Sequence, residues 1–188
     1  YMKPLGVRTV LVGKTHMMAD TEGMEWLGID PASDVGVNHS QVGFEPFVRD
    51  DGIHPTSKGS DSDYDQYLRS HGFDSTNPWA DWANSAEDED GELLSGWLIK
   101  NNTAPARVPE EHSETAFMTN QAMEFMEGAD PDKPWICHLS YIKPHWPYIV
   151  PAPYHDMYPS ETWLPVNRSK DEKVNAQPVF DAYMKSRI

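Results

Sequence analysis

A single cysteine, Cys137, stands in 188 residues. That excludes an intrachain disulfide and any zinc site built from several cysteines. Cations are scarce as well: 15 Lys and Arg stand against 30 Asp and Glu, a formal net charge of -15. Such a balance argues against non-specific binding to nucleic acid or to an anionic membrane. A local cationic pocket can still sit in an acidic protein, so a small anionic substrate is compatible with it. No run approaches the roughly 18–20 apolar residues of a membrane span, and no signal-peptide pattern opens the chain. Regular patterning is thin, with 16 Pro, 12 Gly, 38% hydrophobic residues and a mean hydropathy of -0.66. Seven Trp and eight Tyr nevertheless keep the chain out of the disordered class, which is poor in aromatics. The length suits one domain, and the composition predicts a small sheet with long irregular loops around it.

What is present is uneven. Tyr1 to Gly6 reads like the last turn of a helix and its glycine cap, an opening expected of a chain that starts inside a longer polypeptide. Val7 to Val12 is β-branched and almost continuous, the pattern of a buried, parallel strand. Ala19 to Ile29 reads as loop with at most a short turn, and Pro31 to Ser62 as turn-rich loop, including Asp50-Asp51-Gly52 and Lys58 to Ser62. Asp63 to Gly72 predicts a short helix ended by glycine. Asn77 to Asn84 predicts another, with Asn77 as N-cap and Pro78 in the first turn. Glu87 to Asp90 reads as a solvated acidic loop. The clearest helix is Ser113 to Glu127, with Ser113 as N-cap and Met118, Ala122, Phe125 and Met126 at helical spacing toward a core. Trp135 to Ile142 is the second strand. Pro144, Pro147, Pro151 and Pro153 then predict an extended path. The tail from Pro159 is polar, and Val179 to Ile188 reads as the start of a helix. Helix followed by strand, with an earlier strand in parallel, is the α/β rhythm.

Two short motifs carry the chemistry. Gly13-Lys14-Thr15-His16 follows the first strand, and His138 to Pro147 closes the second. Ligands of open α/β sheets bind beyond the carboxyl ends of the strands, so side-by-side strands would bring fixed positive charge and proton-transfer groups together. Lys14 offers three donors to the oxygens of a tetrahedral anion. On an extended segment His16 would point the same way as Lys14. His145, between Pro144 and Trp146, suits protonation of a leaving-group oxygen near neutral pH. Lys143 reads as a surface charge and His138 as a hydrogen-bonded core residue. Cys137, in an apolar strand, reads as a buried inert thiol. His39, His54, His71, His112 and His155 show no metal-ligand spacing.

Together these motifs resemble the sulfatase branch of the alkaline phosphatase superfamily. Gly13-Lys14-Thr15-His16-Met17 resembles the Gly-Lys-x-His signature of arylsulfatases and choline sulfatases. The block from Arg107-Val108-Pro109 through Ser113-Glu114-Thr115-Ala116 to Tyr158 is similar to phosphonate monoester hydrolases, most closely at Pro134 to Tyr141, Pro144 to Tyr148 and Val150 to Tyr158. Residues 31–106 match neither and read as a variable, insertion-like region within a piece, 1–188, of a sulfatase-like catalytic domain. The resemblance implies part of an alkaline-phosphatase-like, mostly parallel sheet flanked by helices. It also implies hydrolysis of sulfate or phosphate-type esters by a formylglycine hydrate beside one divalent cation, calcium or manganese. Lys14 would bind the nucleophile and the anionic oxygens, His16 would assist collapse of the covalent intermediate, and His145 would contact the transferred group and assist the leaving group. Phosphonate monoester hydrolases carry other residues where this chain has Lys14 and His16, which favours a sulfate ester over a phosphonate or phosphodiester.

The nucleophile motif Cys/Ser-x-Pro-x-Arg is absent, as are the family's early aspartates and its later Asp-His-Gly or Asp-Asn-Gly. Asp50-Asp51-Gly52 matches the last in letters only, because it precedes the second motif. The expectation is that nucleophile and cation ligands lie outside this chain, that these residues alone are catalytically inactive, and that an exposed sheet edge associates with the remaining polypeptide or with a second copy. The competing expectations are a phosphonate or phosphodiester hydrolase of the same superfamily, a non-catalytic binding module, or a relative without a nucleophile.

Overall fold

The computed structural model describes residues 2–50 and 62–158, together with 162, 164, 165, 178, 179 and 182. The chain divides into two compact units, Tyr1–Met157 and Tyr158–Ile188. In the second, Pro178, Val179 and Ala182 are helical, and most of the helix expected up to Ile188 lies outside the described residues.

The first unit is built on β1 (Arg8–Gly13), which is the middle strand of a three-stranded sheet. Thr9 to Gly13 are all buried, as their β-branched, apolar run requires of a strand covered on both faces. β5 (Trp135–Ser140) pairs with it in parallel, from Arg8 opposite Trp135 to Gly13 opposite Ser140. β2 (Glu45–Arg49) pairs on the other side, also in parallel, with a register shift between Leu11 and Val12.

A 15-residue helix, α4 (Glu114–Gly128), packs on one face of this sheet. Its N-cap Ser113 accepts from the Ala116 N–H, which satisfies one of the helix's otherwise unpaired first amides. Phe117, Met118 and Ala122 are buried in one cluster with Val12 and Val48, against which Cys137 and Leu139 pack, and Phe125 is buried beside the Phe47 and Trp135 rings. Met126, expected in that stripe, is instead 45% exposed, because Phe117 and Phe125 fill the face at the helical spacing. α3 (Asp63–Ser70) adds Tyr64 and Leu68, both fully excluded from water, to the same core. Burial of side chains of this size is worth about 1.5–3 kcal/mol each. Trp79 and Ala83 join from a π-helical turn, Trp79–Ala83, whose Ala80 N–H is capped by Asn77 Oδ1 as the sequence predicts.

Three elements depart from the sequence expectation. α1 (Thr21–Trp26) occupies the supposed loop, started by Asp20, whose carboxylate accepts from Gly23 N. α2 (Asp34–Ser40) and β2 occupy the turn-rich stretch after Pro31. α2 is too short for a visible period, and Ser33 caps it. β2 contains Pro46, which cannot donate to the ladder and suits an edge strand. The opposite face of β1 is sealed locally: Thr9 donates its hydroxyl to Gly43 O at 2.8 Å, and the Phe44 ring lies 5.4 Å from His138. His138 is therefore an exposed residue with its ring tilted against Phe44, not a core one. A small hairpin, β3 (Ser85–Glu87) and β4 (Leu93–Ser95), carries the acidic turn that the sequence predicts as solvated loop. The loop expected at Lys58 to Ser62 lies, but for Ser62, outside the described residues, as do Asp51, Gly52 and His54.

Candidate functional site

All three parallel strands end on one edge, and backbone hydrogen bonds lace those ends together. Lys14 N donates to Ser140 O at 3.1 Å, tying the end of β1 to the end of β5. Asp50 N donates to Gly13 O at 3.2 Å, tying β2 to β1. Gly13 makes the first approach feasible: its φ is +102°, and an added Cβ would lie 2.0 Å from Ser140 O. No side chain fits there, and only glycine adopts that backbone readily.

The loop that follows is held from two further directions. Thr15 donates its hydroxyl to Oε1 of buried Gln41 at 2.7 Å and accepts from Met17 N. Arg49 Nη2 donates to Met17 O at 2.8 Å. Lys14 is half-buried and His16 exposed. The chain does not stay extended here, since His16 adopts φ 56°, a left-handed conformation uncommon outside glycine. The strand alternation expected to align Lys14 with His16 therefore stops at Gly13. Among the described residues nothing hydrogen-bonds or ion-pairs with the Lys14 ammonium.

On the β5 side, buried Ile142 and Ile149 flank the second motif. His145 N donates to Ile142 O at 2.8 Å, so the path turns where an extended one is expected. The exposed His145 ring has Nδ1 at 2.7 Å from Trp146 O. A carbonyl only accepts, so Nδ1 carries the hydrogen and Nε2 keeps its lone pair in the neutral ring. Lys143 is not the surface charge expected from sequence. It is half-buried, and its ammonium donates to Pro147 O at 2.6 Å and to Asn84 Oδ1 at 2.9 Å. Burial pushes its pKa down, and nearby Glu114 opposes that shift.

Sequence reasoning misses Asp50. It sits immediately after β2, is 1% exposed, and adds a buried carboxylate to the same edge. Nothing in Asp50-Asp51-Gly52 distinguishes it from an ordinary turn. Asp50 and Glu114 are among the charges that, after burial itself, raise the pKa of Tyr64. Cys137 is half-buried, with its thiol pKa raised by burial, as an inert packing residue requires. A cavity of about 460 Å³ lies beneath the His145 loop, lined among others by Asn84, Glu114, Lys143, Ile149 and Tyr154, and it includes none of Lys14, His16 or His145. Among the described residues no group of three or more His, Cys, Asp or Glu is placed to hold a metal ion. No helix among them is long and apolar enough to cross a membrane.

No family model matches the chain. A stretch of 82 residues is 44% identical to a multifunctional alkaline phosphatase superfamily protein, PehA, of Trinickia caryophylli, covering 43% of this chain and 16% of that protein. A stretch of the same length is 28% identical to an arylsulfatase of Clostridium perfringens, covering 43% and 17%. The fold matches a phosphonate monoester hydrolase from Silicibacter pomeroyi over 98% of this chain and 33% of that one, with a TM-score of 0.68 and 24% identity. It also matches the phosphonate monoester hydrolase of Agrobacterium radiobacter over 90% and 29%, with a TM-score of 0.59 and 20% identity. The chain thus spans a third or less of the length of these proteins. Its mixed α/β architecture, a parallel three-stranded sheet flanked by helices, is that of alkaline-phosphatase-like hydrolases, and its relatives and structural neighbours are members of the alkaline phosphatase superfamily.

Proposed function

We propose that this chain forms part of a hydrolase of anionic esters, with a sulfate ester favoured. It supplies the anion-binding and acid–base side of the site, while the nucleophile and the cation ligands lie outside these residues. The observation that carries this reading is the meeting of the two motif-bearing loops at one sheet edge, joined by the bond from Lys14 N to Ser140 O. Lys14 then neutralises charge on non-bridging oxygens, and it has no competing carboxylate among the described residues. His145 presents Nε2 away from its bond to Trp146 O. In the imidazolium state that nitrogen donates a proton to the departing oxygen, and afterwards its lone pair is restored. His16 assists from the Lys14 loop. The cation, when bound in the complete site, would supply charge stabilisation. A phosphonate or phosphate ester is the second reading. The phosphonate monoester hydrolases among the structural neighbours favour it, whereas Lys14 and His16 favour sulfate. The proposed partners are a small anionic ester and the remaining polypeptide or a second copy, with neither nucleic acid nor membrane.

Titration with inorganic sulfate and, separately, inorganic phosphate, followed by NMR of the histidine rings and the Lys14 amide, tests this. Sulfate should shift His145 and Lys14 together, and Lys14→Ala should weaken that binding at least tenfold. Shifts confined to one loop, or none, defeat the reading. The 188 residues alone should show no turnover of aryl sulfates or phosphonate esters, and robust hydrolysis would show that the nucleophile lies within them.

A further inference from the structure

We propose that Lys143 is a positioning residue for His145: its ammonium closes the loop that sets the tautomer and direction of the imidazole. The inference rests on the proton-donor role just assigned to His145. Between Ile142 and Pro147 the chain has little backbone bonding to hold it, because Pro144 and Pro147 have no N–H to donate. Among the described residues one backbone bond crosses the turn, from His145 N to Ile142 O. The Lys143 side chain supplies the second tie, donating back to Pro147 O at 2.6 Å. Pro147 fixes its own φ, so gripping its carbonyl also orients the preceding peptide, whose oxygen, Trp146 O, accepts from His145 Nδ1.

The anchor beneath is rigid. Asn84, 2% exposed, accepts from the ammonium through Oδ1 at 2.9 Å, and its Nδ2 donates to Trp79 O at 3.1 Å. Glu114, 5% exposed, lines the same cavity as Lys143 and is the opposite charge acting on its ammonium, and its Oε1 accepts from Trp79 Nε1 at 2.9 Å. A half-buried cation is retained only where such partners compensate its desolvation. This cation spends its donors on the catalytic loop and on the core beneath it. The sequence His-Leu-Ser-Tyr-Ile-Lys-Pro-His-Trp-Pro is therefore one device: the lysine locks the loop, and the histidine works from it.

The test is histidine-ring NMR of the 188-residue chain, read for tautomer and for sulfate affinity. In the wild type His145 should be the Nδ1–H tautomer when neutral. Lys143→Met should return it toward the Nε2–H form that free histidine prefers and weaken sulfate binding about tenfold, the loss of one well-made hydrogen bond. Lys143→Arg, which keeps charge and donors, should restore both. The His112 ring, bonded to Tyr67 Oη at 2.8 Å, reports folding in the same spectra. Should Lys143→Met not fold, the double variant K143M/E114Q removes the two opposite charges together and takes the same readouts. A folded variant with His145 still in the Nδ1–H form, or failure of the arginine to restore it, overturns the proposal. If the wild type binds no sulfate, the functional reading falls, and the tautomer alone decides the role of Lys143.

Discussion

β1 buries every residue from Thr9 to Gly13, whereas its neighbour β5 leaves Trp135, Ile136 and His138 exposed. The two strands carry the two halves of the candidate site, yet they hold their loops by different physics. The Lys14 loop leaves a central strand and is fixed from both sides, by backbone bonds to the ends of the neighbouring strands and by side-chain bonds to Gln41 and Arg49. The His145 loop leaves an outer strand and is fixed from below by a buried ammonium. A strand open on its edge cannot use a second neighbour to shape its loop, so a side chain does that work. Among the described residues no strand pairs with the outer edge of β5.

The largest effect expected is at the seam between the two strands. Gly13→Val would place a side chain into Ser140 O, a backbone atom that cannot move aside, at a φ of +102°. A loss of about 3 kcal/mol or more is expected in urea denaturation, with sulfate binding abolished. A near-neutral outcome would mean that the close approach of Gly13 to Ser140 does not organise the site.

The next comparison sets the two strands directly against each other. Val12→Ala removes two methyls from a site fully excluded from water and should cost about 2 kcal/mol. Ile136→Ala, at a side chain 39% exposed, should cost less than about 1 kcal/mol. Equal losses would show that β5 is covered in solution, and a concentration dependence of the Ile136→Ala loss would point to a second copy as the cover.

How far the letters reveal this depends on where each element draws its stability. β1, α4 and β5 are legible because their own patterns are long enough to declare a period, and Ser113 and Gly13 declare their ends. β2 is not, since five residues with Pro46 and a register shift form a strand only when β1 is already beside them. α1 and α2 are helices of only six and seven residues, too short to show a period, that Asp20 and Ser33 start. At the site, Lys14 and His145 are legible as residues beyond strand ends. The left-handed turn at His16 is not, because it depends on the ties of Thr15 and Met17 to Gln41 and Arg49. Lys143 escapes for a related reason: a lysine beside a proline looks like a solvated charge unless Asn84 and Glu114, 59 residues and a helix away, are known to converge on it. Asp50 is hidden because burial, not its neighbours in sequence, makes it unusual.

The smallest effect separates the two loops by pH. Lys143 has a folded-state pKa below its unfolded value of 10.5, chiefly through burial, with Glu114 pulling the other way. Between those two values the unfolded chain binds more protons at this position than the folded one, so its contribution makes stability rise with pH. Below the folded pKa both states are protonated, and the cost of burying the charge is constant. Urea melts of the wild type and Lys143→Met across the mildly alkaline range should therefore show the wild type gaining on the variant as pH approaches 10.5. The ring signals of His145 should move in that window while the Thr15 and Met17 amides stay still, because the Lys14 loop is tied to Gln41 and Arg49 and not to the Lys143 ammonium. A wild type that instead loses ground would show Glu114 outweighing desolvation, and the β5 loop would then rest on an ion pair tight enough to keep its proton.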